Sequence, residues 1–407
     1  MRRRQRGGVM ILTIVVLAAV MAVLAAALAT ENTEFRAAAR RIDRLKARVA
    51  AESGIQYALA ALQTEITAPV MQTDAWFTLG NNADERFTVG STSFRMQVVD
   101  AASLISLNTA TETQLQNLGL TTEQVDSLLD WREEGQTPRA EGGKDDYYAT
   151  LANPYIAKLR RLDSLDELLL IKGFTAQSLL QNPEESSSTG AVARPLYVLA
   201  TVDSFSPNSG ANGQAKQNIN AANQQQLTQA GIPQQLAAAI IAQRQGGTFT
   251  TMGDVLRVPG MTNEAVTAIL DNFAINTETR EEGKINVNTA TEDVLLSLPE
   301  MTPDVVQAIL SRQAAGMQSL GELLQVPGIT VQSLAGFVDR VAIGSDTFLV
   351  RVEGTSGSAR YPLEAVIRLT GTSAKVVKVL DPPLDDMREL WGWAEDTTTE
   401  TALGEDR

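Results

Sequence analysis

The chain contains no cysteine and no histidine. The first absence excludes disulfides, a thiol nucleophile and thiolate metal sites. The second excludes a Ser-His-Asp triad, an imidazole base and the usual zinc or copper sites. Aromatic residues are scarce, at 5 %, and the net charge of −14 argues against a general nucleic-acid binder. What is left for chemistry is carboxylates, lysine, Ser/Thr and Tyr, with oxygen-liganded cations such as calcium still open. Paired carboxylates alone would allow glycoside hydrolysis, but no pattern of a substrate cleft accompanies them. The 407 residues suffice for two or three domains with a sizeable core. The expectation is a protein of structural and interaction surface, with no enzymatic role.

One long apolar run is present. Four arginines lie in the first eight residues, and the 22 residues from Val9 to Thr30 then carry no charge. As a helix they measure about 33 Å, enough to span a bilayer. The positive-inside rule keeps the arginines cytoplasmic and sends the C-terminal bulk outward. Three readings share this segment. Ala27-Leu28-Ala29 offers an A-x-A signal-peptidase site, although the apolar region is longer than such signals use. A plain membrane anchor is the second reading. The third rests on Gly8, set between the basic segment and the apolar run. That arrangement resembles the class III signal of type IV prepilins and type II secretion pseudopilins, in which a prepilin peptidase cuts after the glycine and the helix is retained. On this reading residues 1–8 are a leader, Val9 becomes the first residue and 9–30 is the transmembrane helix. Thr13 then falls at the fifth mature position, where most of that group carry Glu.

Residues 31–66 read as a continuation of the helix beyond the membrane. Ile42, Leu45, Val49, Ile55, Leu59, Leu62 and Ile66 follow a 3/4 spacing, interrupted by Glu52, and predict the packed face. Alternation predicts a hairpin at Arg86–Gly90 and Ser93–Asp100, and further strands at Thr347–Gly354, Arg360–Leu369 and Lys375–Leu380. The economical arrangement is one sheet, carried by 67–103 and 345–381 and split by a helical insertion at 104–344. The acidic tail, 382–407, is expected to be flexible, with Trp391 and Trp393 as its docking candidates.

The insertion repeats itself. LNTATETQLQNL at Leu107–Leu118 matches INAANQQQLTQA at Ile219–Ala230 and VNTATEDVLLSL at Val287–Leu298. Asn108, Asn220 and Asn288 coincide, as do Arg132, Arg244 and Arg312, and VPG turns recur at Val258–Gly260 and Val326–Gly328. The units span 104–182, 217–276 and 285–344, and the first holds about 25 extra residues. Each predicts a helix capped by its Asn, reinforced in two copies by Thr-x-x-Glu, a tight turn, a second helix ending at the shared Arg, and a further helical pair. These are helix-hairpin-helix units. Such hairpins can present backbone N–H groups to phosphate, commonly from a turn with two glycines. Here the second glycine is missing throughout, and few basic residues flank the turns. No nucleic-acid contact is expected, and the shared arginines are expected to satisfy helix C-terminal carbonyls or pair with acids.

Together the basic-Gly-Gly signal without the fifth-position Glu, the split sheet and the NTAT repeats resemble the minor pseudopilin K family of type II secretion systems. Ser127-Leu-Leu-Asp-Trp131, Leu162-Asp-Ser-Leu-Asp-Glu-Leu168 and Ile285-Asn-Val-Asn-Thr-Ala290 carry much of the likeness. The resemblance implies an α+β fold: an N-terminal transmembrane helix and a pilin-like antiparallel sheet, interrupted by a large all-α helix-hairpin-helix (SAM-like) insertion. It implies a non-enzymatic role at the tip of the periplasmic pseudopilus, with the minor pseudopilins I and J as partners, in the inner membrane. The third full repeat makes this chain larger than the usual member. The resemblance also implies calcium in the acidic insertion, with Glu133, Glu141, Asp145 and Asp146 as ligand candidates, although Gly135 and Lys144 fall where acids would be expected. A membrane-anchored helix-hairpin-helix DNA-uptake receptor is the alternative, since such receptors share the I-N-V-N-T-A opening. A secreted carboxylate enzyme, released by cleavage near Ala29, is a third class.

Overall fold

A computed structural model describes residues 6–65, 69–181, 194–210, 213–371, 373–384 and 387–393, the side chains of 6–9, 25–32 and 64–65 excepted. The first element, α1, is a 60-residue helix, Arg6–Glu65. Its C-terminal part lies on a five-stranded antiparallel sheet made of β1 (Phe87–Val89), β2 (Thr92–Asp100), β3 (Thr347–Ser356), β4 (Ala359–Thr370) and β5 (Ser373–Leu380), in chain order across the sheet. Strands β2 and β3 pair through eight residues, from Thr355 against Ser93 to Phe348 against Asp100. The alternating runs on either side of the repeats therefore form one sheet, as their patterning predicts.

The face of α1 that packs is the predicted one only in its C-terminal half, where Ile55, Leu59 and Leu62 meet the core. Ala47, Ala50, Ala51, Ile55, Ala58 and Leu62 are buried, whereas Ile42, Leu45 and Val49 are 54 %, 63 % and 53 % exposed. Ile66 lies outside the described residues. The buried stripe consists mainly of alanines because the helix comes very close to the central strand. A Cβ added to Gly354 of β3 would lie 1.9 Å from the Ala47 carbonyl oxygen and 2.6 Å from the Ala51 nitrogen. Behind this contact, Phe94, Met96, Val98, Phe348, Val350, Val352, Leu363, Ala365 and Ile367 fill the core between helix and sheet.

On the opposite face, cross-strand partners form buried ion pairs, Arg95–Glu353 at 3.1 Å and Arg351–Glu364 at 3.3 Å. Part of the C-terminal tail covers them. Arg388–Trp391 forms a helical turn, Trp391 and Trp393 are buried, and the Trp393 ring lies 4.9 Å from the Arg95 guanidinium. The Trp393 indole N–H donates to Gln97 Oε1 at 3.1 Å. The docking candidates Trp391 and Trp393 are thus both buried and pin down Met387–Trp393 within the tail expected to be flexible; 394–407 lie outside the described residues.

Between β2 and β3 sit the three repeats. Each is opened and closed by a two-residue parallel strand pair: Ile105–Ser106 with Ala200–Thr201, Gln217–Asn218 with Phe273–Ala274, and Ile285–Asn286 with Val341–Ala342. The first unit therefore closes at Thr201, later than the 182 read from the sequence. An antiparallel ladder, Phe205–Pro207 against Arg280–Glu282, ties the chain entering the second repeat to the chain leaving it. Buried Asp100, at the end of β2, joins sheet to repeats by accepting hydrogen bonds from Asn286 Nδ2 at 2.8 Å and Thr289 Oγ1 at 2.6 Å.

Candidate functional site

Gly8 and Val9, the predicted processing pair, lie at the N-terminal end of α1. The apolar side chains described beyond them, Met10 to Leu24, all face solvent. They cover about 22 Å of helix, less than the roughly 30 Å hydrocarbon core. Among the described residues no helix is long and apolar enough to cross a membrane, and the predicted 9–30 span extends past those side chains at both ends.

In the repeats, the shared asparagines do not cap helices. The caps lie three residues further on, at Thr111, Asn223 and Thr291. The first two form capping boxes with Gln114 and Gln226, which leaves Glu112 and Glu292 at the first helical position. The asparagines act as two-way clamps instead. Asn220 Nδ2 donates to the Phe249 carbonyl at 3.0 Å while Asn220 Oδ1 accepts from the Phe249 N–H at 2.9 Å. Asn288 does the same to Met317, at 2.9 and 2.8 Å. In the first repeat Asn108 grips Leu162, at 3.1 and 2.7 Å. The clamp spans 29 residues in the second and third repeats and 54 in the first. That difference is the inserted segment, which is looped out without disturbing the unit.

Two of the three shared arginines face the same region, not the helix C-termini, and the third pairs with an acid as expected. Arg132 donates to the carbonyls of Leu107 and Ala110, both at 2.6 Å, and Arg244 donates to Ile219 at 2.7 Å. In the third repeat Gln313 serves the corresponding carbonyls, Val287 and Ala290, at 2.9 and 2.8 Å. This frees Arg312 to meet Gln325 and Glu322. Arg132 and Arg244 are thus taken up by internal carbonyls.

The hairpins use their helix N-termini internally. Gly173, Gly260 and Gly328 adopt the left-handed conformation that the turn requires. The position of the missing second glycine is held by Thr175, Thr262 and Thr330. Their hydroxyls accept from the N–H groups of Ser178, Ala265 and Ser333. A donor that a phosphate would otherwise engage is therefore capped by the chain itself.

Three of the four calcium candidates are engaged separately. Glu133 Oε2 accepts from Arg139 at 2.7 Å. Asp145 accepts from the Ala157 N–H and from Gln136 Nε2, both at 2.8 Å. Asp146 Oδ1 accepts from the Tyr147 N–H at 2.9 Å, and Glu141 is exposed. Among the described residues no group of three or more acids is placed to hold a metal ion. The position that sequence reading marked only as a departure, Lys144, is the centre of the loop. It is 2 % exposed, and its ammonium donates to the carbonyls of Asp130 and Glu133. Arg139 completes the arrangement through Asp130 Oδ1 at 2.9 Å. The residues present do not fit a divalent cation: the candidate acids do not converge, and the Lys144 ammonium takes the carbonyl oxygens of Asp130 and Glu133.

Three stretches of the chain match known protein families. Residues 100–182 and residues 285–341 each match a family described as type II secretion system (T2SS), protein K. Between them, residues 214–273 match a helix-hairpin-helix motif family. A solved structure, the GspK-GspI-GspJ complex from the enterotoxigenic Escherichia coli type 2 secretion system, contains a similar chain. The likeness is 14 % in identity with a TM-score of 0.42, covering 84 % of this chain and 97 % of that one. No curated protein matches the chain.

Proposed function

We propose, because this chain belongs to the protein K family of type II secretion systems, that it is a minor pseudopilin that assembles with the minor pseudopilins I and J. The observation that carries the reading is the pair of protein K segments, placed within the insertion that divides the sheet. In this reading the N-terminal part of α1 is the inner-membrane anchor, exposed because its solvent is lipid. The sheet and repeats lie in the periplasm. The repeats are inserted as one large helical body between β2 and β3, which suits a subunit at the end of a fibre, where nothing stacks above it. Thr13 in place of an acid fits the same position, since an end subunit lacks a neighbour on one side. The function is export of proteins across the outer membrane through this assembly.

The test is the mature N-terminus of the protein in membranes, read by mass spectrometry with and without the prepilin peptidase. A start at Val9 that depends on the peptidase is expected, together with co-purification of minor pseudopilins I and J from detergent extracts. A start at Met1 or near Thr30 would overturn the reading. The DNA-receptor alternative then becomes testable through binding that weakens steeply with salt.

A further inference from the structure

The loop inserted in the first repeat surrounds a set of oxygens that would repel one another without a cation. The helix Thr122–Arg132 ends with its carbonyls directed at the loop, where the helix dipole places partial negative charge. Asp126 and Asp130 are buried on the same helix, and Glu133 follows at its C-cap. The loop folds back over them closely. The Glu141 N–H donates to Asp126 Oδ2 at 3.0 Å, the Arg139 N–H donates to Asp130 Oδ2 at 3.0 Å, and a Cβ on Gly142 would lie 1.9 Å from Asp130 Oδ2.

We propose that Lys144 is the resident cation of this loop, its ammonium occupying the oxygen-lined position at the end of the helix so that the first repeat folds without a divalent ion. Three observations converge. The ammonium meets two main-chain carbonyls, those of Asp130 and Glu133, which are hard oxygens of the kind a divalent cation uses. The adjoining carboxylates, Asp130 and Glu133, are bridged by Arg139, which leaves no open acid pair beside the ammonium. The loop is closed from its far side by Lys172, whose ammonium donates to the Glu141 carbonyl at 2.8 Å. The second and third repeats, which lack the insertion, have no need of the device.

The experiment uses the full chain in detergent and follows limited proteolysis of the loop, residues 134–157, with calcium or with EDTA. Cleavage is expected to proceed at the same rate in both, and titration calorimetry with calcium chloride to show no binding at the loop. Protection by calcium that EDTA reverses would overturn the proposal, and this arm needs no variant. Lys144→Met keeps the length of the side chain and removes its charge. It should speed cleavage about tenfold or more, because one partner is lost from a buried charge cluster. A Lys144→Met loop cleaved no faster than the native one would overturn the proposal equally.

Discussion

Two glycines at the contact between α1 and the sheet differ in what a methyl group would meet, and that difference sets an order of stability. At Gly354 both close atoms are backbone, the Ala47 oxygen at 1.9 Å and the Ala51 nitrogen at 2.6 Å. No rotamer can relieve this, and β3 is held on both edges by β2 and β4. In Gly354→Ala the helix must lift by about 1.5 Å, which forfeits a large part of the dispersion along the alanine stripe. Overpacking of this kind costs about 3 kcal/mol or more. At Gly54 the close atoms are side-chain ends, Val352 Cγ1 at 2.7 Å and Phe94 Cδ2 at 2.8 Å, which can turn aside. Gly54 also sits inside a helix, where alanine regains roughly 0.5–1 kcal/mol. Gly54→Ala should therefore lose about 1 kcal/mol at most. Hydrogen exchange of β3, followed by mass spectrometry on the full chain in detergent, reads both. Exchange should quicken about a hundredfold in Gly354→Ala and by a small factor in Gly54→Ala, at roughly tenfold per 1.4 kcal/mol. Equal effects, or the reverse order, would refute the close-approach argument.

Asn288→Ala should cost roughly 2–5 kcal/mol, since it strands the N–H and carbonyl of Met317, each a buried group left unmade; amide exchange around Met317 measures it. The same change at half-buried Asn220 should cost less, and equal losses would count against the clamp. Lys216 lines a cavity with Asp271, Glu281 and Lys284, and burial pulls its pKa down to about 8. Its folded pKa lies below the unfolded value, so the folded state binds fewer protons between about pH 8 and pH 10.5 and stability rises with pH across that window. Urea unfolding at pH 8 and pH 10 should show a rise that Lys216→Met abolishes; an identical pH slope in the variant would refute it.

The strands were legible because each has one face in a core and the other against polar partners, which enforces alternation. The repeats were legible because three copies keep the same spacing. The packed face of α1 was legible only in part, at Ile55, Leu59 and Leu62. Hydrophobicity pointed to Ile42, Leu45 and Val49, but the choice was made by Gly354, some three hundred residues away, which admits a helix only where its side chains are small. The asparagines were misread for a related reason. Asn is a good N-cap, so a local reading assigned it to the nearest helix. Its partner lies 29 residues on, and only the constant distance between Asn220 and Phe249 and between Asn288 and Met317 could have disclosed the clamp. In the inserted loop, the sequence showed the acids and the misplaced Lys144, but which oxygens the ammonium would reach was a matter of tertiary folding.

Because β3 lies between β2 and β4, the strand against which α1 packs is made after all three repeats. During synthesis the N-terminal helix and the first hairpin precede β3 by nearly 250 residues of chain. Loop-closure entropy alone does not make this prohibitive, since each doubling of length adds only about 0.6 kcal/mol. Each repeat shortens the gap further as it folds, because its parallel strand pair brings its own entrance and exit side by side. The repeats thus bring β2 and β3 within reach of each other, and the two halves of the sheet cannot pair until β3 has been made. A truncation between Ala342 and Thr347 would keep all three closing strand pairs and remove the strand against which α1 packs.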